Sequence, residues 1–130
     1  MIDYNFKDLL GIPYKLGGRD KKGFDCYGFV IFYEARFNNF LVDYKSPYPN
    51  ENNEQFFNEN ILNILNCSKL AKTSMPKHND VILFYDRKGR ANHIAVYLKD
   101  GDFVHCDSSG VRVSNLKNEK RRWSAFTWPK

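Results

Sequence analysis

The sequence predicts an α+β fold in which N-terminal helices pack on a C-terminal antiparallel sheet, and three observations carry that prediction. Apolar residues recur at helical spacing in the first half: Phe6, Leu9 and Leu10, then Cys26, Phe29, Val30, Tyr33 and Phe37, then Phe57, Ile61, Ile64 and Leu65. From Asp80 onward the pattern changes to short runs of strand-forming residues. Turn signals at Lys88-Gly89, Asp100-Gly101 and Ser109-Gly110 separate those runs, which reads as an antiparallel meander rather than alternating βαβ units.

In chain order, residues 3–10 predict a short helix with Asp3 as N-cap and Gly11 as terminator, closed by Ile12-Pro13. The paired glycines of Tyr14-Lys15-Leu16-Gly17-Gly18-Arg19 permit left-handed or closely approached backbone, and a polar loop then leads to a second helix. That helix starts at Cys26, with Asp25 as its N-cap, and ends near Asn38-Asn39. Residues 43–53 are rich in Pro, Asn and Tyr without periodicity and predict a surface excursion. Residues 55–65 predict another helix on the core, and Met75-Pro76 marks the change of pattern. Strands are expected over 81–85, 93–98, 102–106, 111–114 and 123–128.

At 130 residues the chain is read as one domain, residues 1–130, burying roughly two-thirds of its unfolded surface. Its apolar and aromatic content argues against disorder, and its longest apolar runs are far too short to span a bilayer. The N-terminus shows no basic segment followed by an apolar stretch, so no secretory signal is expected. Cys26, Cys67 and Cys106 are odd in number and lack both CxxC and metal-ligand spacing to a His, which predicts free thiols, no metal site and no cofactor. The net charge of +5 suits an anionic partner. Its densest cluster, Lys117, Lys120, Arg121 and Arg122, has no aromatic ladder or helix-turn-helix around it and reads as a solvated loop, so nucleic acid is not an expected partner.

Cys26 opens a helix, where unpaired N–H groups and the positive end of the macrodipole favour a thiolate. The alternative is a small buried hydrophobe, as Cys often is. A nucleophilic thiol needs a base, and the base needs a third group to orient it. His93 opens one strand and His105 nearly closes the next, so their cooperation depends on register. A two-residue Asp100-Gly101 turn would pair Val96 with His105 and send the two rings to opposite faces. A three-residue loop, Lys99-Asp100-Gly101 with Gly101 left-handed, pairs Ala95 with His105 and puts both rings on one face. Cys26, His93 and His105 can then fill the three roles, whereas His78 reads as a turn residue.

These residues resemble the NlpC/P60 family of cysteine peptidases, papain-like enzymes that cleave cell-wall peptides. Pro13-Tyr14 with Gly17-Gly18 looks like the family's opening segment, and Asp25-Cys26-Tyr27-Gly28-Phe29-Val30 looks like its Asp-Cys-Ser-Gly nucleophile motif. The segment Asn79-Asp80-Val81-Ile82-Leu83-Phe84 resembles the strand that usually begins Gly-Asp. His93-Ile94-Ala95-Val96-Tyr97-Leu98 resembles the base-carrying strand, and Phe103-Val104-His105-Cys106 the strand of the third catalytic residue.

The resemblance implies a papain-like NlpC/P60 fold with Cys26 as nucleophile, His93 as general base and His105 as the orienting group. It also implies Tyr14 beside the nucleophile and Asp25 holding the free amine of a trimmed stem peptide, with a packed Tyr and a plain N-cap as the alternatives. Tyr27 stands where the commonest motif has Ser, as in phage-tail members, which bears on substrate specificity; Asn79 for Gly affects only a turn. The implied activity is hydrolysis of a peptidoglycan stem peptide, γ-D-glutamyl to a diamino acid, by a protein made in the cytoplasm that reaches the wall as a phage or phage-like tail component beside other particle proteins. An acyltransferase or amidase on the same fold, and a non-catalytic structural or binding subunit, are the alternative functions.

Overall fold

The structure is a computed structural model and describes residues 4–43 and 53–129. After a 3-10 turn at Lys7–Leu9 come a small hairpin of β1 (Arg19–Asp20) and β2 (Gly23–Phe24), helices α1 (Cys26–Ala35) and α2 (Asn53–Cys67), and strand β3 (Ala71–Thr73). Five longer strands follow: β4 (Val81–Tyr85), β5 (Ala91–Tyr97), β6 (Asp102–Asp107), β7 (Gly110–Asn115) and β8 (Arg122–Thr127). The expected α+β class holds, with both helices ahead of an antiparallel six-stranded sheet.

The helix expected over 3–10 is only a 3-10 turn in the described residues, and Asp3 lies outside them. Asn5, at φ +56°, breaks any helix there. The chain instead docks on the start of β7, where Gly11 donates to the Val111 carbonyl at 3.0 Å and Val111 donates to Ile12 at 2.9 Å. The polar loop before Cys26 is the β1–β2 hairpin. Helix α1 stops at Ala35, and Asn38 at φ +61° turns the chain away while the Asn39 amide returns to Glu34. Along α2, Ile61 and Leu65 are buried and Ile64 packs on the core, as the helical stripe predicts. The Phe57 side chain and residues 44–52 of the expected excursion lie outside what is described.

The sheet departs from a simple meander, because its order is β3-β8-β4-β5-β6-β7. The last strand returns to the free edge of β4, pairing Val81 with Phe126 and Ile82 with Ala125, and short β3 then adds outside it. The physical reason lies in β4: Val81, Ile82, Leu83 and Phe84 are all fully buried, so each edge of the strand needs a partner for its backbone groups.

Both faces of the sheet are apolar. Val81, Leu83, Ile94, Val96, Val104 and Cys106 look toward the helices and join Phe29, Val30, Tyr33, Ile61 and Leu65 in the main core. Ile82, Phe84, Ala95, Phe103 and Ala125 form a second cluster on the opposite face. Between β5 and β6 the ladder is short, with only Val96–Val104 and Tyr97–Phe103 in register before the strands part. The start of α1 is fitted at that opening: the Cys106 thiol meets the Phe24 carbonyl at 3.3 Å, two residues before Cys26.

Candidate active site

Cys26 is the first residue of α1, as its position after a capping Asp predicts. The Asp25 carboxylate accepts the Gly28 amide at 2.6 Å, which fixes the first turn. Two glycines make this start possible. A Cβ on Gly28 would lie 1.9 Å from the Gly18 carbonyl, and one on Gly18 would lie 2.2 Å from the Gly23 carbonyl. The Gly17-Gly18 segment therefore presses directly on the first turn of α1.

Cys26 is half-buried, and burial pushes its thiol up to about 12, with the Asp25 charge adding to the rise and the amides of Ile94 and Tyr27 opposing it. Ile94, next to His93 on β5 and beyond the point where that strand has parted from β6, supplies the amide that favours the Cys26 thiolate. Among the described residues no hydrogen bond links the Cys26 sulfur to the His93 ring itself.

The histidines meet as the three-residue loop predicts. Leu98 donates to the Asp102 carbonyl at 2.8 Å around Lys99-Asp100-Gly101, and Gly101 is left-handed at φ +89°. Val96 pairs with Val104, the register that this loop sets, and the strands part before Ala95 and His105. Both rings lie on the face away from the helices, with His93 Nε2 2.7 Å from His105 Nδ1. His93 also stacks on Phe84, and His105 sits edge-on to Phe103.

Burial pushes His93 down to about 3, with His105 and the Arg121 charge adding to the fall. Burial likewise holds His105 at about 4, against Asp107 and assisted by Arg112 and Arg121. Burial thus favours the uncharged form of the thiol and of both imidazoles.

Tyr14 runs beside Phe24, linked by a parallel bridge, and its side chain is exposed. Asp25 is buried and already engaged: besides Gly28 it accepts Arg19 Nη1 at 2.8 Å and the Gly17 amide at 3.1 Å. An incoming amine would have to displace Arg19. Tyr27, the residue in place of Ser, is fully buried and donates its hydroxyl to the Val42 carbonyl, while Arg19 reaches Asp43 at 3.1 Å. It braces residues 42–43 against α1. His78 stands in the turn before β4 and also packs against Tyr4 and Phe37, with Nε2 2.9 Å from the Tyr33 hydroxyl.

One neighbour of the histidines was not singled out from the sequence. Ser114 Oγ lies 3.0 Å from His105 Nε2, on β7. Its signal was present: a tight turn at Ser108-Ser109 sets Arg112 across from His105 and Ser114 across from Phe103, on the histidine face.

The profile of the NlpC/P60 family matches residues 11–128. The probable peptidoglycan endopeptidase LytE of Bacillus subtilis is 26% identical over 112 residues, which are 86% of this chain and 28% of that protein. The murein DD-endopeptidase/murein LD-carboxypeptidase MepS of Escherichia coli K12 is 30% identical over 123 residues, 92% of this chain and 56% of that protein. The chain thus spans between about a quarter and just over half of the length of these relatives. The NlpC/p60 domain of the peptidoglycan hydrolase SagA superposes with a TM-score of 0.62 at 22% identity, covering 95% of this chain and 92% of that domain.

Proposed function

The chain belongs to the NlpC/P60 family, and from that premise we propose that it is a cysteine peptidase hydrolysing an amide bond in peptidoglycan stem peptides, the one joining γ-D-glutamyl to a diamino acid. The observation that carries this reading is the 2.7 Å bond between His93 of β5 and His105 of β6, with Ile94, the residue after His93, supplying an amide that favours the Cys26 thiolate. The names of the relatives LytE and MepS support peptidoglycan as the substrate. The Asp25-Cys26-Tyr27-Gly28 form of the motif supports a tail-associated member of the family acting at the cell wall.

In this mechanism the Cys26 sulfur attacks the amide carbonyl as its proton passes to His93 Nδ1, the ring nitrogen not engaged by His105. Amides at the start of α1, including that of Cys26, receive the developing oxyanion. His93 gives the proton to the leaving amine, and the acyl group remains on sulfur as a thioester. His93 then takes a proton from water, the hydroxide adds to the thioester, and the thiol is regenerated as the acid leaves. His105 holds the His93 ring throughout. Tyr14, exposed alongside Phe24, is assigned to lining the cleft beside the nucleophile, and Asp25 acts chiefly as the N-cap that aims the turn.

Digestion of defined muropeptides, read by mass spectrometry, tests the assignment. Wild type should release fragments cut at the γ-D-glutamyl bond and Cys26→Ala none. Failure of wild type on every stem peptide would remove the peptidase reading, and a transfer product in place of an acid would redirect it to acyl transfer.

A further inference from the structure

We propose that Ser114 is a positioning residue that selects the tautomer of both histidines by accepting the His105 Nε2 proton. The proposal rests on the peptidase reading for its catalytic meaning but not for its geometry. His105 is almost fully buried and has two polar neighbours, His93 Nε2 at 2.7 Å and Ser114 Oγ at 3.0 Å. Two neutral rings sharing one hydrogen bond must point it one way or the other, and the direction is decided at the end of the chain of bonds.

If His93 is to receive the Cys26 proton at Nδ1, its own proton must sit on Nε2 and be donated to His105 Nδ1. The His105 proton is then on Nε2 and needs an acceptor. Ser114 Oγ is the atom that supplies it. The oxygen also accepts Arg112 Nη1 at 3.1 Å, and Arg112 is clamped on Asp107 by bonds of 3.1 and 2.5 Å. A hydroxyl oxygen has two lone pairs and can take both donors, leaving its own hydrogen to point outward. The carboxylate of Asp107 balances the guanidinium, so the far end of the relay stays an acceptor when His93 becomes cationic. The opposite direction, with His105 donating from Nδ1, would leave His93 protonated on Nδ1 and unable to accept from the thiol.

The test compares wild type, Ser114→Ala and Ser114→Thr, the last keeping the oxygen. Imidazole 15N NMR on the protein alone should show His105 and His93 protonated on Nε2 in wild type and Ser114→Thr. In Ser114→Ala the His105 signal should move toward the Nδ1 form. On muropeptides, Ser114→Ala should lose about tenfold to a hundredfold in kcat with KM little changed, the size expected for depriving one buried donor of its partner, and Ser114→Thr should recover most of it. Wild-type rings protonated on Nδ1, or a Ser114→Ala protein with unmoved tautomers, would overturn the proposal. A wild type inert on every muropeptide but showing the tautomer shift would remove the peptidase reading and leave the relay standing.

Discussion

His93 Nε2 and His105 Nδ1 lie 2.7 Å apart across a place where their two strands have already separated, so the side chains bridge what the backbone ladder does not. In the proposed mechanism this bond makes His105 the group that sets how His93 faces the sulfur. His105→Ala should therefore lower kcat by about a hundredfold or more, while His105→Asn, whose amide can still accept from the His93 N–H, should keep a larger share. Steady-state hydrolysis of a defined stem peptide gives the comparison, and equal losses in the two variants would show that the bond does not orient the base.

The burial that favours an uncharged thiol and imidazole predicts a kinetic signature. Because burial raises the Cys26 thiol to about 12 and lowers His93 to about 3, the thiolate fraction should grow about tenfold per pH unit through neutrality. Iodoacetamide alkylation followed from pH 6 to 10 should climb without a plateau. A plateau below pH 8 would show instead a preformed thiolate–imidazolium pair.

Gly28 and Gly18 are in contact in a way that no larger residue permits. Gly28→Ala would put a methyl group 1.9 Å from the Gly18 carbonyl and 2.7 Å from Arg19 Nη1, so it should destabilise the fold by about 1–3 kcal/mol and shift the nucleophile turn. Urea unfolding measures the first effect and residual hydrolysis the second. An Ala variant as stable and active as wild type would mean that the two segments can separate freely.

Glu34 is fully buried in α1, where Oε2 accepts the Trp128 indole N–H and Oε1 has no hydrogen-bond partner among the described residues. Burial raises its pKa well above the ordinary carboxylate value, with the Trp128 bond opposing and Asp80 adding. The unfolded chain releases this proton from about pH 4.5 upward and the folded chain does not, so stability contributed below that pH is lost as pH rises toward the folded value. Glu34→Gln cannot titrate, and its Tm should gain on wild type between pH 5 and 8. Parallel Tm curves would contradict this account.

Arg19 bears on substrate choice. Since it occupies Asp25 at 2.8 Å, a stem peptide should not need a free amine to bind there, and N-acetylated and free peptides should show KM values within about tenfold of each other. A much larger penalty for acetylation would mean that Arg19 yields and that Asp25 receives the amine.

Much of this site was legible because its determinants are local. Asp25 before an apolar helical stripe marks the start of α1, and Asp100-Gly101 with one added residue sets the register that joins the histidines. What stayed hidden depends on partners distant in sequence. Tyr27 reads as a specificity residue until its ring is seen buried in the core with its hydroxyl on the Val42 carbonyl. Glu34 has the look of a solvated helix residue, and only Trp128, 94 positions later, explains its burial. The return of β8 to β4 is equally nonlocal, since two buried edges of one strand do not say which later segment will cover each.

That return also dictates the timing of folding during synthesis. Among the described residues strand β3 pairs only with β8, so the ribosome must deliver Thr127 clear of its exit tunnel before residues 71–73 can find that neighbour. A nascent chain halted ahead of Arg122 would keep one flank of β4 bare, and protease nicking of such stalled chains at that flank, absent from the released protein, is the outcome this order of assembly requires.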